Sequence, residues 1–485
     1  MAIARKIAYN VLLNSFLKVF STVVLSLFSI RLITGYLGQE GFGQYSTVLA
    51  FFALFSAIAD LGLSSLTVRE ISREGAQEKV ILSKVLALRL LSSLAVFLLS
   101  PILIVLFHYT NELKIGILIA AGATIFSTLS LMLNGVFQKR LAMDKVALIE
   151  FIGKLLQVSM VVLVVKADLG FLATSATLLV SLSFNALTVL LLARRYVRFS
   201  PLVDIAYWKT FLRASLPMGA TAIITFAYFK MDTIILSLLQ PSAHVGIYNV
   251  AYKIMENLIF FPAMLVGLIL PLLSRSIFTQ RAQFEEIAHK TFKVFCIIIV
   301  PIVVGAFFLA PDIIRLVSGE GFQESVLVLR ILIFALGCIF FGHFFTMLLV
   351  VGNAQKKLMQ GLLFVAAFNI GLNVLFITRY SYVGAAVASV VTELLVVLLT
   401  GLLVRRYIRY VPSFMSIGRI LFSGILMGVT LFFFESLSFL LSGIAGVSVY
   451  IFGLWFTRAV AVDEVMSLFV RGNRDGMLEI ETPLP

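Results

Sequence analysis

From Tyr9 to Trp455 the sequence is a near-continuous series of apolar stretches, each about as long as a bilayer is thick, separated by short polar connections. A hydrocarbon core of roughly 30 Å is crossed by about 20 residues of helix. No water is available there to satisfy backbone N–H and C=O groups, so a chain with such stretches folds as helices. Fourteen stretches can be counted, at approximately residues 9–34, 44–65, 84–107, 115–137, 146–166, 170–193, 214–239, 247–273, 291–314, 326–351, 358–378, 383–404, 417–437 and 440–460. Hydrophobic residues make up 61% of the 485 and charged residues only 13%, with a mean hydropathy of +1.07, which excludes an ordinary soluble globule. The expected fold class is all-α: a polytopic membrane protein of about fourteen transmembrane helices.

A net charge of +14 invites a nucleic-acid reading, which the placement of Lys and Arg does not support. Of the 38 basic residues, 27 fall in alternate connections and the termini, five in the other connections (Lys114, Lys166, Arg315, Arg330, Arg379) and six inside spans. This is the positive-inside pattern. It puts both termini in the cytoplasm of a multi-pass cell-membrane protein, and the basic excess reads as topology and attraction to anionic lipid, with no nucleic-acid partner. The first apolar run is too long for a cleavable signal peptide and lacks a small-residue cleavage site. Cys296 and Cys338 lie in different spans, so neither a disulfide framework nor a metal site is expected.

One sentence is written twice, as LLARRYVRFSP (Leu191–Pro201) and LLVRRYIRYVP (Leu402–Pro412), with seven of eleven positions identical at an offset of 211. Each copy ends a sixth span. Two further matches accompany it: GFGQYS around Gly43 with HVGIYN around Gly246, offset 203, and QKR at Gln138 with QKK at Gln355, offset 217. Because six is even, both halves enter the membrane in the same orientation, which makes them parallel six-helix repeats. The expected organisation is a first bundle at 1–200, a second at 201–412, two additional transmembrane helices at 413–460 and a cytoplasmic tail at 461–485. Two like bundles facing a common cleft are a scaffold for alternating access, so the repeat favours transport.

The stretch RLITGYLGQEGFGQYSTVLAFFALFSAIADLGLSSLTVREISRE, Arg31 to Glu74, resembles the N-terminal signature of the Wzx-like polysaccharide and oligosaccharide-lipid flippases, within the multidrug/oligosaccharidyl-lipid/polysaccharide exporter superfamily. LGQEGFGQY, ADLGL and VRE are its most distinctive parts. The resemblance implies a role in polysaccharide or glycoconjugate assembly: translocation of a polyprenyl-linked oligosaccharide to the outer leaflet by rocking bundles, with a cationic cavity for the pyrophosphate and no cofactor. It also implies a groove for the lipid tail at the two additional helices.

Ionisable groups at membrane depth line polar cavities or pair with one another. Eleven qualify: Lys18, Arg31, Arg89, Lys154, Lys230 and Lys253 against Asp60, Glu150, Asp232, Glu256 and Glu393. Antiparallel neighbours sit symmetrically about their connection, which places Lys230 level with Glu256, Asp232 with Lys253, and Lys18 with Asp60. Glu150 and Lys154 are four apart on one helix face, the favourable order for a pair. The cations expected at an anionic headgroup are Arg31, Lys18, Lys253 and Lys230; Asp60, Asp232, Glu256 and Glu393 are candidates for charge pairing or coupling. Arg31 has no acid at its depth in the second span, and either clamps phosphate through its planar fork or snorkels to the interface. Arg89 is read as a snorkelling anchor. Glu393 is either a proton or sodium coupling site or a hydrogen-bonded neutral carboxyl.

Two rival functions carry sequence signals of their own. Membrane-embedded polymerases and ligases acting on the same lipids resemble one another in a large outer loop with catalytic Arg or His, whereas no outer connection here exceeds about a dozen residues. His108, His244, His289 and His343 are scattered without ligand spacing, and no nucleophile lies near a base; no catalytic residue and no metal site is expected, and the chain is not read as an enzyme. GQEGFG follows a membrane helix rather than a strand and is not a dinucleotide fingerprint. A multidrug or organic-cation antiporter of the same superfamily is the stronger rival; it calls for unpaired acids in the cavity, whereas the clear orphan in the first half is basic.

Overall fold

A computed structural model of the protein describes residues 24–413, 417–434 and 437–459, apart from the side chains of 221 and 222. Every regular element among them is helical: α1 (Ser26–Asp60), α2 (Leu63–Ile71), α3 (Glu78–Val105), α4 (Asn111–Lys139), α5 (Met143–Lys166), α6 (Gly170–Tyr196), α7 (Ile205–Leu239), α8 (Ser242–Leu258), α9 (Phe260–Ser276), α10 (Arg281–Phe308), α11 (Ala310–Ser318), α12 (Ser325–Val351), α13 (Gln355–Leu403), α14 (Ile417–Phe433) and α15 (Phe439–Phe456). Ten helical stretches among the described residues are long and apolar enough to cross a membrane, or eleven with α7 counted as one. The protein is a multi-pass all-α membrane protein. The tally is below fourteen partly because two expected connections remain helical. The backbone runs from the first span into the second through α1, breaking only at Gly38 (φ 64°, ψ −168°). It runs from the eleventh into the twelfth through α13, breaking at Ser381 (φ 52°, ψ −132°).

The chain forms two compact units, one of Met1–Leu258, Ile314–Leu332 and Met359–Leu395, the other of Ile259–Ile313, Ile333–Leu358 and Val396–Pro485. In the first, a core of Leu66, Leu82, Val85, Leu133, Phe137 and Phe199 joins α2, α3, α4 and the segment after α6. In the second, α10 packs on α14 and α14 on α15, beside an aromatic cluster in which Phe292, Phe295, Phe340 and Phe344 meet at 5.4–5.9 Å between ring centroids.

The duplicated sentence has a structural meaning. At the end of α6, Arg194, Arg195 and Arg198 are exposed while Phe199 turns back into the core. The chain is then strapped across α3: the Ser200 amide donates to Ser83 Oγ at 3.3 Å and the Leu202 amide to the Ser83 carbonyl at 3.0 Å. Asp204 caps α7 by accepting from the Tyr207 amide at 2.9 Å and holds Lys84 at 2.7 Å. In the second copy the buried aromatic is Tyr410, 211 residues after Phe199, set 5.1 Å from the His289 ring. Each copy therefore ends a helix in exposed arginines and anchors the chain with one aromatic ring.

The QKR and QKK matches have a different fate. QKR closes α4, whereas QKK opens α13. The equivalent positions are the left-handed residues Leu141 and Asn353, where the same turn recurs: Ala142 N to Phe137 O at 2.9 Å and Ala354 N to Leu349 O at 2.8 Å. The Gly43 and Gly246 match is physical as well. A Cβ on Gly43 would strike the Ser242 carbonyl, and a Cβ on Gly246 would strike the Gln39 carbonyl. Gln39 and Ser242 are themselves 203 apart, so α1 and α8 touch backbone to backbone through equivalent residues.

Candidate functional site

Lys230 and Asp232 lie on α7, and Tyr248, Tyr252 and Glu256, spaced by four, share one face of α8 together with the neighbouring Lys253. Glu256 presents one oxygen to each of two lysines: Lys230 Nζ to Oε1 at 2.7 Å and Lys253 Nζ to Oε2 at 2.7 Å. The three side chains stay partly open, at 19%, 21% and 35% exposure for Lys230, Lys253 and Glu256. Lys230 also sits 4.8 Å from the centroid of the Tyr252 ring, which stacks on Tyr248 at 5.6 Å. Lys154 on α5 donates to Gln157 at 3.1 Å and lies within electrostatic reach of Lys253. Two lysines thus share one carboxylate, and a third lies within electrostatic reach of one of them.

Two other acids, Asp232 and Glu393, are buried. Asp232 is buried, accepting from the Tyr248 hydroxyl and, at 2.6 Å, from the Thr233 amide. Glu393 on α13 is buried and accepts from the Tyr228 hydroxyl. A carboxylate that has gathered hydroxyl or amide donors at depth is already compensated and offers little to an incoming ligand.

The depth argument correctly joins Lys230 to Glu256. It fails for Asp232 and Lys253, because Lys253 meets Glu256 three residues along its own helix while the Asp232 oxygens are engaged by a phenol and a backbone amide. Lys18 lies outside the described residues. Asp60 pairs with Arg89, and Arg89 is no snorkelling anchor: fully buried, it donates to Asp60, to Ser64 Oγ and, at 3.2 Å, to the Ala59 carbonyl. Asp60 also accepts from the Gly62 and Ser64 amides at 3.1 and 3.3 Å, so ADLGL is a helix break locked by a buried arginine. The same depth rule would have found the pair, since Asp60 and Arg89 lie fifteen residues before and fourteen after Gly75 in the connection between their spans. Lys154, expected beside Glu150 on one helix face, donates to Gln157 at 3.1 Å.

Arg31 is exposed on the wall of a different pocket, of about 680 Å³, with Tyr36, Gly319 and Glu320. Its Nη1 is 3.4 Å from the Arg315 carbonyl, and Glu320 engages Arg315 at 3.4 Å. None of the three lysines lines that pocket.

The comparisons with known proteins agree with this architecture. The profile of the family described as polysaccharide biosynthesis protein matches residues 3–277. A probable low-salt glycan biosynthesis flippase, Agl15 of Haloferax volcanii, is 23% identical over 423 residues, 83% of this chain and 84% of that protein. A probable flippase of the same organism, AglR, is 27% identical over 215 residues, and the match spans only 44% of its length. Among solved structures, the lipid II flippase MurJ in an inward closed conformation superposes with a TM-score of 0.78 at 18% identity, covering 92% of this chain and 99% of that one. An inward-facing multidrug resistance MATE family transporter of the MOP superfamily gives 0.63 at 16% identity, covering 80% of this chain and 96% of the other. Identities this low establish the fold alone, whereas the family profile spans more than half of the sequence: the chain belongs to the polysaccharide biosynthesis protein family.

Proposed function

We propose that this protein is a flippase that moves a polyprenyl-(pyro)phosphate-linked oligosaccharide from the cytoplasmic to the outer leaflet of the cell membrane by alternating access. The observation that carries the reading is the sharing of Glu256 by Lys230 and Lys253 with Lys154 nearby. A pyrophosphate entering the cluster takes over the lysine donors and relieves the repulsion between them, and releases Glu256 to the open side. Both Haloferax volcanii relatives are named probable flippases, and Agl15, a probable low-salt glycan biosynthesis flippase, supports a glycan-bearing substrate. Nothing in this scheme makes or breaks a covalent bond, so the protein acts as a transporter rather than an enzyme.

In this reading the chain crosses the membrane fourteen times with both termini in the cytoplasm, as six-span halves at 1–200 and 201–412 followed by spans within 413–460 and a tail at 461–485. Arg31, in its separate pocket, meets the headgroup on the outer side, and Lys18 joins the cationic set. Glu393, with its phenol partner, is the candidate site for a coupling proton or sodium ion, and Asp60 serves structure through Arg89. The antiporter alternative draws on the MATE fold likeness. An organic cation, however, would meet lysines at the partly exposed cluster while Asp232 and Glu393 are buried with hydroxyl partners.

The test is complementation of a flippase-deficient strain, with protein abundance measured in parallel. The Lys230→Gln, Lys253→Gln double variant loses glycan delivery at unchanged abundance, and Arg31→Lys, which keeps the charge but not the fork, loses much of it. Full delivery by the double variant would sink the lysine site, and resistance to cationic drugs conferred by the wild-type protein would favour the antiporter.

A further inference from the structure

A second polar cavity, of about 420 Å³, lies in the other unit, where the start of α10 meets the start of α14. His289, Lys290 and Lys293 line one side and Phe292, Ile417 and Ile420 make its apolar wall. The imidazole is held in place: its Nδ1 donates to the Glu285 carbonyl at 2.7 Å, and the buried Tyr410 ring packs at 5.1 Å, leaving Nε2 for the cavity. Lys290 rests on Glu286 at 2.6 Å, but that carboxylate is 54% exposed and can swing into solvent when a stronger anion arrives. Arg405, Arg406, Arg409 and Arg419 are exposed at the same end of the unit, against which the described acids are only Glu285 and Glu286.

One turn further along α14 an apolar groove begins, lined by Val300 and Val304 of α10 and by Leu421, Gly424 and Ile425 of α14. Gly424 and Gly428 let α10 approach: a Cβ on the first would strike Val300, and one on the second would press on Phe308. Leu421 and Ile425 are exposed at 49% and 64%, as residues facing acyl chains are. A cationic pocket followed along α14 by an apolar seam of about 18 Å, from Leu421 to Phe433, has the shape and charge of an amphiphile with an anionic head. Its volume of about 420 Å³ admits a phosphate and a small polar substituent.

We propose that His289, Lys290 and Lys293 bind the phosphodiester of an anionic membrane phospholipid whose acyl chain lies along the α10–α14 seam. This site is separate from the Glu256 cluster and stands or falls independently of the transport reading. The wild-type full chain in detergent is titrated with dioleoyl phosphatidylglycerol and, separately, with dioleoyl phosphatidylcholine, and bound lipid is counted by native mass spectrometry. The anionic lipid is retained preferentially. Lys290→Gln with Lys293→Gln weakens it about 25-fold, or about fivefold for each lysine. Lys356→Gln with Lys357→Gln removes the same charge from elsewhere in this unit and leaves retention unchanged. Ile417→Trp fills the cavity without altering charge and also abolishes selectivity, which keeps the test valid if the lysine variant fails to fold. Equal retention of both lipids, or equal loss in the two lysine pairs, overturns the site. Retention of a polyprenyl phosphate in place of phosphatidylglycerol from an equimolar mixture overturns the occupant.

Discussion

Glu256 has two lysines and each lysine has one glutamate, so the three residues are not interchangeable. Lys230→Gln or Lys253→Gln leaves Glu256 one partner, whereas Glu256→Gln leaves two ammonium groups without their shared carboxylate, one of them within electrostatic reach of Lys154. The glutamate variant should be the least stable by about 1–3 kcal/mol, the cost of stranding a partly buried polar group, read as the thermal midpoint of purified protein. Equal midpoints in the three single variants would refute the shared-carboxylate geometry. Residue pairing was legible where two groups lie at one depth on adjacent spans, as Lys230 and Glu256 do. It was hidden where a nearer partner competes: Lys253 has Glu256 on its own helix, and Asp232 has the Tyr248 hydroxyl, a group that counting charges omits.

Among elements, glycine identity alone does not say what a helix break requires. Gly38 and Gly62 both have positive φ, 64° and 78°. Around Gly38 a Cβ would meet nothing within 4 Å, while at Gly62 it would collide with the Ser215 carbonyl and the Gly219 amide. Gly38→Ala should therefore cost about 1–3 kcal/mol, the backbone penalty of a side chain at φ 64°, ψ −168°, and Gly62→Ala should abolish accumulation of folded protein; comparable yields of the two would contradict the packing of the break against α7. The strap after α6 gives a pH signature. The Lys84 ammonium, donating to Asp204, holds that carboxyl below the usual carboxylate range, helped by the Tyr207 amide. A depressed folded-state value contributes stability that is complete above the unfolded value of about 3.9 and is lost as pH falls through the folded one. Asp204→Ala should lower the midpoint at pH 7, and the gap from wild type should close in acid below about pH 4; a gap independent of pH would mean the capping bond acts without the charge. Helices were legible because apolar length dictates them. Their breaks were not, because Gly38 and Ser381 turn the chain inside continuing helix where the sequence shows only a polar connection.

At the scale of the molecule, the distribution of basic residues makes a prediction that no side-chain contact enters. Reporter fusions in the connections after Arg195 and Arg406 should both read cytoplasmic, and an outward reading of either would break the parallel relation of the halves. That relation was legible in the aromatic anchors Phe199 and Tyr410 and in Gly43 and Gly246, since each position has one physical task. It was misleading in QKR and QKK, where residue type matched but place in the turn did not. Gly43 and Gly246 also have a consequence for how this sequence can drift. Tight contacts between side chains can be repaired, a larger residue on one face being answered by a smaller one opposite. Here each glycine faces a carbonyl of the other helix, and there is no residue smaller than glycine and no substitution that removes a carbonyl. A library randomised at both positions should return glycine at each, with no rescuing pair, so α1 and α8 are tied at the one kind of contact for which selection has no second solution.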